Sequence, residues 1–201
     1  SPVPAAARSQ TPAQTPGRLR VVVNSDQDSV QADSNLTLRE AIELTNGTLL
    51  LDQLSEVERS QVSRIDTSTS EIAFRLPATQ TIIRVGRELP AIVAPVTIDG
   101  TTQTGYTNTP VIAELPLAPP IIEITPTQNT FVARGLTVTA DNVTIRGLSL
   151  HGFNDDVDDT ARSPAADIFI SHRLPPPDIR KHPTPANFSP FYSDDTPPQT
   201  C

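Results

Sequence analysis

The sequence predicts a mainly β protein, a right-handed parallel β-helix (solenoid) with an N-terminal amphipathic capping helix and disordered proline-rich ends. From residue 72 onward the chain reads as short runs of alternating apolar and polar residues. The runs are separated by turn-forming residues (Pro, Gly, Asn and Asp) and not by helices. The strands "VTIDG" (96–100), "IIEIT" (121–125) and "VTIRG" (143–147) recur every 22–25 residues, a spacing typical of solenoid coils.

Composition limits the classes of function. The 201 residues suffice for one domain, and the net charge of −8 argues against nucleic acid and against an anionic membrane surface as partners. No stretch approaches the roughly 20 apolar residues of a membrane-spanning helix, so membrane insertion is not expected. Cys201 is the only cysteine, which excludes an internal disulfide and a cysteine-based metal site. Its own role, as a chain end or as a link between two chains, stays open.

The N-terminal part divides into a linker and a capping region. Residues 1–18 are a Pro/Ala-rich linker, and residues 19–71 hold a strand ("LRVVVNS", 19–25) and capping helices. In "NLTLREAIELTNG" (35–47), Thr37 and Glu40 have capping-box spacing and Gly47 stands where a helix ends. We expect Leu38, Ala41 and Ile42 to face inward and to cover the first coil. "SEVERSQV" (55–62) predicts a second helix with Leu54, Val57 and Val62 facing inward.

Residues 72–172 are predicted to form the β-helix coils, followed by a Pro-rich tail at 173–201. In "NVTIRGLSLHGF" two strands flank Gly147 with no room to fold back, which favours a solenoid corner. "ADIFISH" (166–172) is the last predicted strand. The alternative is a β-sandwich, in which 96–99 would pair antiparallel with 111–113. The predicted interior stack consists of Val96, Ile98, Val143, Ile145, Leu148 and Leu150.

Two groups of polar residues are candidates for chemistry. A polysaccharide lyase or hydrolase needs carboxylates and a base on neighbouring strands, and the weak catalytic candidates are Asp99, Asp141, Arg134 and Arg146. Solvated strand ends and turns explain these four residues as well. "NDDVDD" (154–159) has enough side-chain oxygens to attract Ca²⁺ but lacks the EF-hand order. Its weak calcium candidates are Asp155, Asp156, Asp158 and Asp159; no other cofactor is expected.

The order of several motifs resembles a known family. "LTLREAIELTNG", then "IAFRLPATQTIIRVGRELPAIVAPVTIDGTTQTGYTNTPVIAEL" and "GLTVTADNVTIRGLSLHGF", resemble the N-terminal region of bacterial, cyanobacterial-type right-handed parallel β-helix surface proteins. The resemblance covers roughly residues 36–153. It implies an exported chain at the cell surface or outside the cell, and no particular activity. Since such proteins continue for many more coils, we expect a truncated protein or a fragment.

These observations predict a structural or adhesive segment of an exported or cell-surface protein, without catalysis. The alternatives are a polysaccharide lyase or glycoside hydrolase on the same fold and a small sandwich-type binding module. A carbohydrate or cell-surface partner fits the first class. Self-association through an uncovered C-terminal coil is expected, because open strand edges pair with other chains.

Overall fold

The computed structural model of the protein describes residues 18–107, 119–154 and 165–171. Two α-helices lie in the N-terminal part, α1 (Leu38–Asn46) and α2 (Glu56–Arg59). Short 3₁₀ turns occupy Leu51–Gln53 and Gly100–Thr102. The described part of the chain contains ten strands: β1 (Arg18–Val23), β2 (Val62–Ile65), β3 (Ser70–Phe74), β4 (Ile82–Val85), β5 (Val96–Asp99), β6 (Ile122–Pro126), β7 (Arg134–Val138), β8 (Thr144–Arg146), β9 (Leu148–Leu150) and β10 (Ala166–Ile170).

The strands form three small sheets. The first has five strands in the order β2-β1-β3-β5-β8, the second has three in the order β4-β6-β9, and the third pairs β10 with β7. β2 is antiparallel to β1, and the other strand pairs are parallel. The five-stranded sheet is therefore a mixed sheet, with one antiparallel pair, β1 and β2, at its edge.

The predicted fold class is wrong. The structure is a mixed α/β arrangement with several small sheets, and the mainly β right-handed β-helix is not what it forms. Alternating hydrophobicity identifies strands, but it does not say which strands pair with each other. The N-terminal part holds the two predicted helices, but it also adds an antiparallel strand, β2, which the sequence did not predict.

The supposed repeat of 22–25 residues is also wrong. "IIEIT" contributes to β6 of the three-stranded sheet, whereas "VTIDG" and "VTIRG" contribute β5 and β8 of the five-stranded sheet. The strands that actually pair place Asp99 beside Arg146, 47 positions later. β5 has β3 on one side and β8 on the other, both parallel, so the antiparallel pairing of the sandwich alternative does not form. Its proposed partner, 111–113, lies outside the described residues.

Individual strands agree better with the sequence. β1 and β10 confirm the strands expected at 19–25 and 166–172. β8 and β9 flank Gly147 without folding back and belong to different sheets. The linker 1–18, apart from Arg18 in β1, and the tail 173–201 lie outside the described residues.

Helix α1 confirms its sequence signals. Thr37 caps the helix by accepting a hydrogen bond from the Glu40 amide, and Gly47 ends it in the left-handed conformation with φ of 79°. Leu38, Ala41 and Ile42 are buried and pack over β1 and β3. At the other end of the helix, the Asn46 side chain donates to the Ala91 carbonyl at 2.7 Å and accepts from the Val93 amide at 3.0 Å.

Helix α2 is shorter than expected, and its inward face was partly misassigned. It ends at Arg59, and β2 then begins at Val62. Leu54 is buried, but Val57 is exposed. The fully buried residue of α2 is Glu58, whose side chain completes a capping box with Ser55.

The two capping-box glutamates also hold the loop 24–36 that precedes α1. Glu40 accepts hydrogen bonds from the amides of Thr37 and Gln31, both at 2.9 Å. Glu58 accepts from the Ser55 amide at 2.7 Å and from the Asp33 amide at 3.2 Å. Burial raises the pKa of Glu40 above its ordinary value, although the hydrogen bonds from Thr37 and Gln31 oppose the rise.

A buried ion pair joins the same loop to the rest of the protein. Arg39 of α1 binds both carboxylate oxygens of Asp28, at 2.7 and 3.0 Å, and its side chain is only 3% exposed. The guanidinium also donates to the carbonyls of Arg87 and Glu88, and Asp28 accepts from the Gly86 amide at 2.9 Å. Loop 24–36, α1 and the turn after β4 therefore meet at one charged pair.

The residues of the predicted interior stack are fully buried on β5 but only partly buried in the segment that contains β8 and β9. Val96 and Ile98 of β5 are buried in the main hydrophobic core. Val143, Ile145, Leu148 and Leu150 pack against that core but are only partly buried. β8 and β9 are the last strands in the orders of their sheets, so fewer neighbours cover them.

Two glycines allow a close contact where the chain turns from β8 to β9. A Cβ atom on Gly100 would lie 2.0 Å from the Gly147 carbonyl oxygen, and one on Gly147 would lie 2.7 Å from the Thr101 amide nitrogen. Gly147 also has a φ of 66°, a conformation that side chains rarely adopt.

Replacing Asp28 by Asn should destabilise the protein strongly, because it leaves the buried charge of Arg39 without a counter-charge. We expect the free energy of unfolding to fall by about 3 kcal/mol, measured by urea unfolding followed by circular dichroism. Glu71→Gln is the matched control, since it breaks the half-exposed Arg20–Glu71 pair and should cost less than about 1 kcal/mol. Equal losses in the two variants would contradict the role given to the buried pair.

Gly147→Ala should lower the free energy of unfolding by about 2 kcal/mol, because a strained φ and a backbone clash coincide there. Gly86→Ala is the control: a Cβ there meets nothing within 4 Å, and its effect should stay within about 1 kcal/mol. Thermal and urea unfolding of both variants measure the difference. An alanine at 147 that is tolerated as well as one at 86 would show that the turn is not so tightly packed.

Candidate binding face

The outward side of the five-stranded sheet carries the polar residues of interest. Strand alternation buries Val96 and Ile98 of β5 and turns Thr97 to the other face. In β8, Thr144 is exposed and lies directly beside Thr97 in the parallel register. Glu71 of β3 is the neighbour of Thr97 on the other side, and Arg20 of β1 follows Glu71. A row of polar side chains thus crosses four strands.

A shallow cavity of about 350 Å³ opens on this face. We call it the polar cleft; it is lined by Ser68, Thr69, Thr97, Asn142 and Thr144. Ser68 and Thr69 come from the turn between β2 and β3, and Asn142 from the bend before β8. Asn142 has a φ of 57°, a left-handed conformation that Asn tolerates better than most residues.

Charged pairs lie beside the polar cleft on the same sheet. Arg20 binds Glu71 at 3.1 Å. Two positions beyond Thr97 and Thr144, Asp99 and Arg146 form a second pair, with Arg146 Nη2 at 2.5 Å from Asp99 Oδ2. Each pair neutralises its own charge, so the row presents little net charge where the cleft opens.

The Asp99 carboxylate is held from two sides. Its Oδ1 atom accepts hydrogen bonds from the Thr101 amide at 3.0 Å and from the Thr101 hydroxyl at 2.6 Å. Burial alone would raise the pKa of Asp99, but the hydrogen bonds from Arg146 and Thr101 outweigh it and lower the pKa below its ordinary value. The bond with Asp99 in turn raises the pKa of Arg146. Both groups therefore stay charged across a wide range of pH.

Of the four catalytic candidates, the structure brings together two, Asp99 and Arg146. Proton transfer near neutral pH needs a group whose pKa lies close to neutrality, and both shifts move away from it. Asp141 is exposed in the bend next to Asn142. Arg134 belongs to β7 of another sheet, where it binds Glu88 at 3.0 Å and lies over the Phe169 ring.

The calcium candidates Asp155, Asp156, Asp158 and Asp159 lie outside the described residues. Within the described ranges, no group of three or more His, Cys, Asp or Glu side chains is arranged to hold a metal ion. His151 is paired with Glu123 at 2.9 Å on the three-stranded sheet. Among residues 18–107, 119–154 and 165–171, no helix is both long and apolar enough to cross a membrane.

The polar cleft itself was not predicted, although the sequence holds a signal for it. "VTID" and "VTIR" share their first three residues, and aligning them pairs Thr97 with Thr144 and Asp99 with Arg146, as the register does. In both strands the threonine alternates with the inward-facing isoleucine, so the sequence pattern itself places Thr97 and Thr144 on the outward face. The contributions of Ser68, Thr69 and Asn142 come from turns, whose positions the strand pattern does not determine.

Comparison with protein-family models, with curated proteins and with solved structures gives no match for this chain. The likeness to bacterial β-helix surface proteins therefore stays a prediction from the motifs.

Asp99→Asn should destabilise the protein at neutral pH by about 1 kcal/mol, since one partner of the pair, Arg146, is largely exposed and screened by water. Because folding lowers the pKa of Asp99, its stabilising effect is complete above the ordinary value of 3.8 and is lost as the pH falls through the lowered value. The difference between wild type and variant should therefore shrink in strong acid. Urea unfolding at neutral and strongly acidic pH measures it, and a difference independent of pH would contradict the assignment.

Proposed function

We propose that the chain is a non-catalytic structural and adhesive segment of an exported or cell-surface protein. The observation that carries the proposal is the outward face of the five-stranded sheet. The charged residues Arg20, Glu71, Asp99 and Arg146 beside the cleft are paired within the chain, and the side chains that line the cleft are hydroxyls and an amide. Such a face can contact a polymer or another surface but supplies no group poised for proton transfer.

Export is supported by the sequence alone. The order of the motifs resembles that of bacterial surface proteins. Antibody labelling of intact producing cells, together with assay of the culture medium, tests this part. Detection only after lysis would overturn it.

Self-association belongs to the same proposal. β8 and β9 end the orders of their sheets, and Ile145 and Leu148 on them are only partly buried. A strand edge of this kind can pair with a second copy. Sedimentation at increasing concentration should show dimers or larger species, and a monodisperse monomer at high concentration would count against it.

The competing function is a polysaccharide lyase or glycoside hydrolase that uses Asp99 and Arg146. That pair meets across β5 and β8, which is the reason to test it, but the directions of both pKa shifts oppose proton transfer.

Incubation with pectin-like and alginate-like polymers, with and without Ca²⁺, should release neither reducing ends nor unsaturated products. Neutral polysaccharides such as cellulose and mannan, immobilised on a surface, should retain the wild-type chain above the level of an unrelated acidic protein. Product that disappears in Asp99→Asn would overturn the non-catalytic assignment. Failure to be retained on any polymer or cell surface would overturn the adhesive part.

A further inference from the structure

We infer that the polar cleft is a binding subsite for a neutral saccharide unit. The inference rests on the proposed adhesive function and names the class of ligand that this face would take. It follows from the hydrogen-bonding capacity, the charge and the size of the cleft.

Hydrogen-bonding capacity is the first argument. Among the described residues, none of the five lining side chains has a hydrogen-bond partner within the chain. Four are hydroxyls, each able to donate one hydrogen bond and accept two, and Asn142 adds an amide that does both. Elsewhere in the same part of the chain, comparable side chains are engaged: Thr37, Thr101 and Asn46 all bond to neighbours. What distinguishes the cleft is that five side chains with free hydrogen-bonding capacity line one concave surface.

Charge is the second argument. Among the described residues that line the cleft there is no carboxylate and no cation, so neither a metal ion nor a phosphate finds its natural ligands in them. The neighbouring charges are already paired, and the exposed Asp141 beside Asn142 adds negative charge next to the cleft. A neutral ligand is favoured over an acidic sugar such as a uronate.

Size and backbone pairing separate a sugar from other neutral ligands. A volume of about 350 Å³ is at the lower end of the range of about 300–1,000 Å³ typical of ligand pockets. A peptide bound as an added strand would need free backbone groups, but β5 is paired on both sides by β3 and β8. An apolar ligand would find no apolar side chain in the lining. A sugar ring, with donors and acceptors all round it, matches the side chains that remain.

Thr97 and Asn142 are the residues on which the test can act. Thr97 lines the cleft and lies beside Thr144 in the sheet register. The variant Thr97→Val removes its hydroxyl at almost constant side-chain volume. Asn142→Gly removes the amide while glycine accepts the left-handed φ without strain. Thr79→Val is the matched control, because Thr79 is an exposed threonine in the turn before β4 and does not line the cleft.

The experiment is a nuclear magnetic resonance titration of the full chain with maltohexaose, cellohexaose and mannohexaose, and separately with hexagalacturonate. At least one neutral hexasaccharide should shift the amide signals of the lining residues, with weak affinity because no aromatic ring lines the cleft. Thr97→Val and Asn142→Gly should each weaken binding at least fivefold, and Thr79→Val less than twofold. If one variant does not fold, the other and the map of shifted signals still decide.

Several results would overturn the inference. They are the absence of shifts at the cleft with every neutral hexasaccharide, binding of hexagalacturonate alone, and equal affinity in wild type and both cleft variants. These failures leave the non-catalytic assignment intact, since that assignment fails only if polymers are cleaved. Retention on immobilised polymer that persists in Thr97→Val and Asn142→Gly would place adhesion elsewhere on the chain and would also overturn the subsite.

Discussion

The buried pair between Arg39 and Asp28 is the interaction on which the N-terminal architecture depends. A guanidinium with almost no contact with water is tolerated only when its nitrogen atoms have hydrogen-bond partners, and here a carboxylate and two carbonyls supply them. The next residue in α1, Glu40, is buried as well and is satisfied by backbone amides. These two adjacent buried side chains fix how α1 and loop 24–36 lie against β1, β3 and the turn after β4. β1 and β3, against which α1 packs, belong to the five-stranded sheet that carries the polar cleft.

The cleft depends on the same sheet in a different way. Parallel pairing of β3, β5 and β8 aligns Glu71, Thr97 and Thr144 in one row. Two positions further along β5 and β8, Asp99 lies beside Arg146. Because the charged members satisfy one another, the uncharged members are the ones left to face a partner. On β5 and β8, the ion pair Asp99–Arg146 stabilises the sheet, while Thr97 and Thr144, two positions earlier, are free to bind a ligand.

Local features were predictable from the sequence, whereas strand pairing was not. Thr37, Glu40 and Gly47 marked α1 correctly, because caps act over three or four residues. The alternation around Ile98 and Ile145 gave their inward direction. Yet the recurrence of "VTIDG", "IIEIT" and "VTIRG" every 22–25 residues suggests successive coils, whereas β6 joins a different sheet from β5 and β8, because a recurring strand motif does not indicate which sheet it joins. The buried positions of Arg39 and Glu58 escaped prediction too, since burying a charge depends on partners far away in the sequence, such as Arg87 and Asp33.

The contacts of Asp28 also imply an order of events in folding. Its bond to Arg39 spans 11 positions, whereas its bond to the Gly86 amide spans 58. Closing a short segment costs less chain entropy than closing a long one. The ion pair with α1 can therefore form early, while the loop becomes fully locked only after β4 has joined the sheet. Loop 24–36 therefore reaches its final structure late in folding. Its last contact, between Asp28 and the Gly86 amide, forms only once β4 and the turn after it are in their native positions.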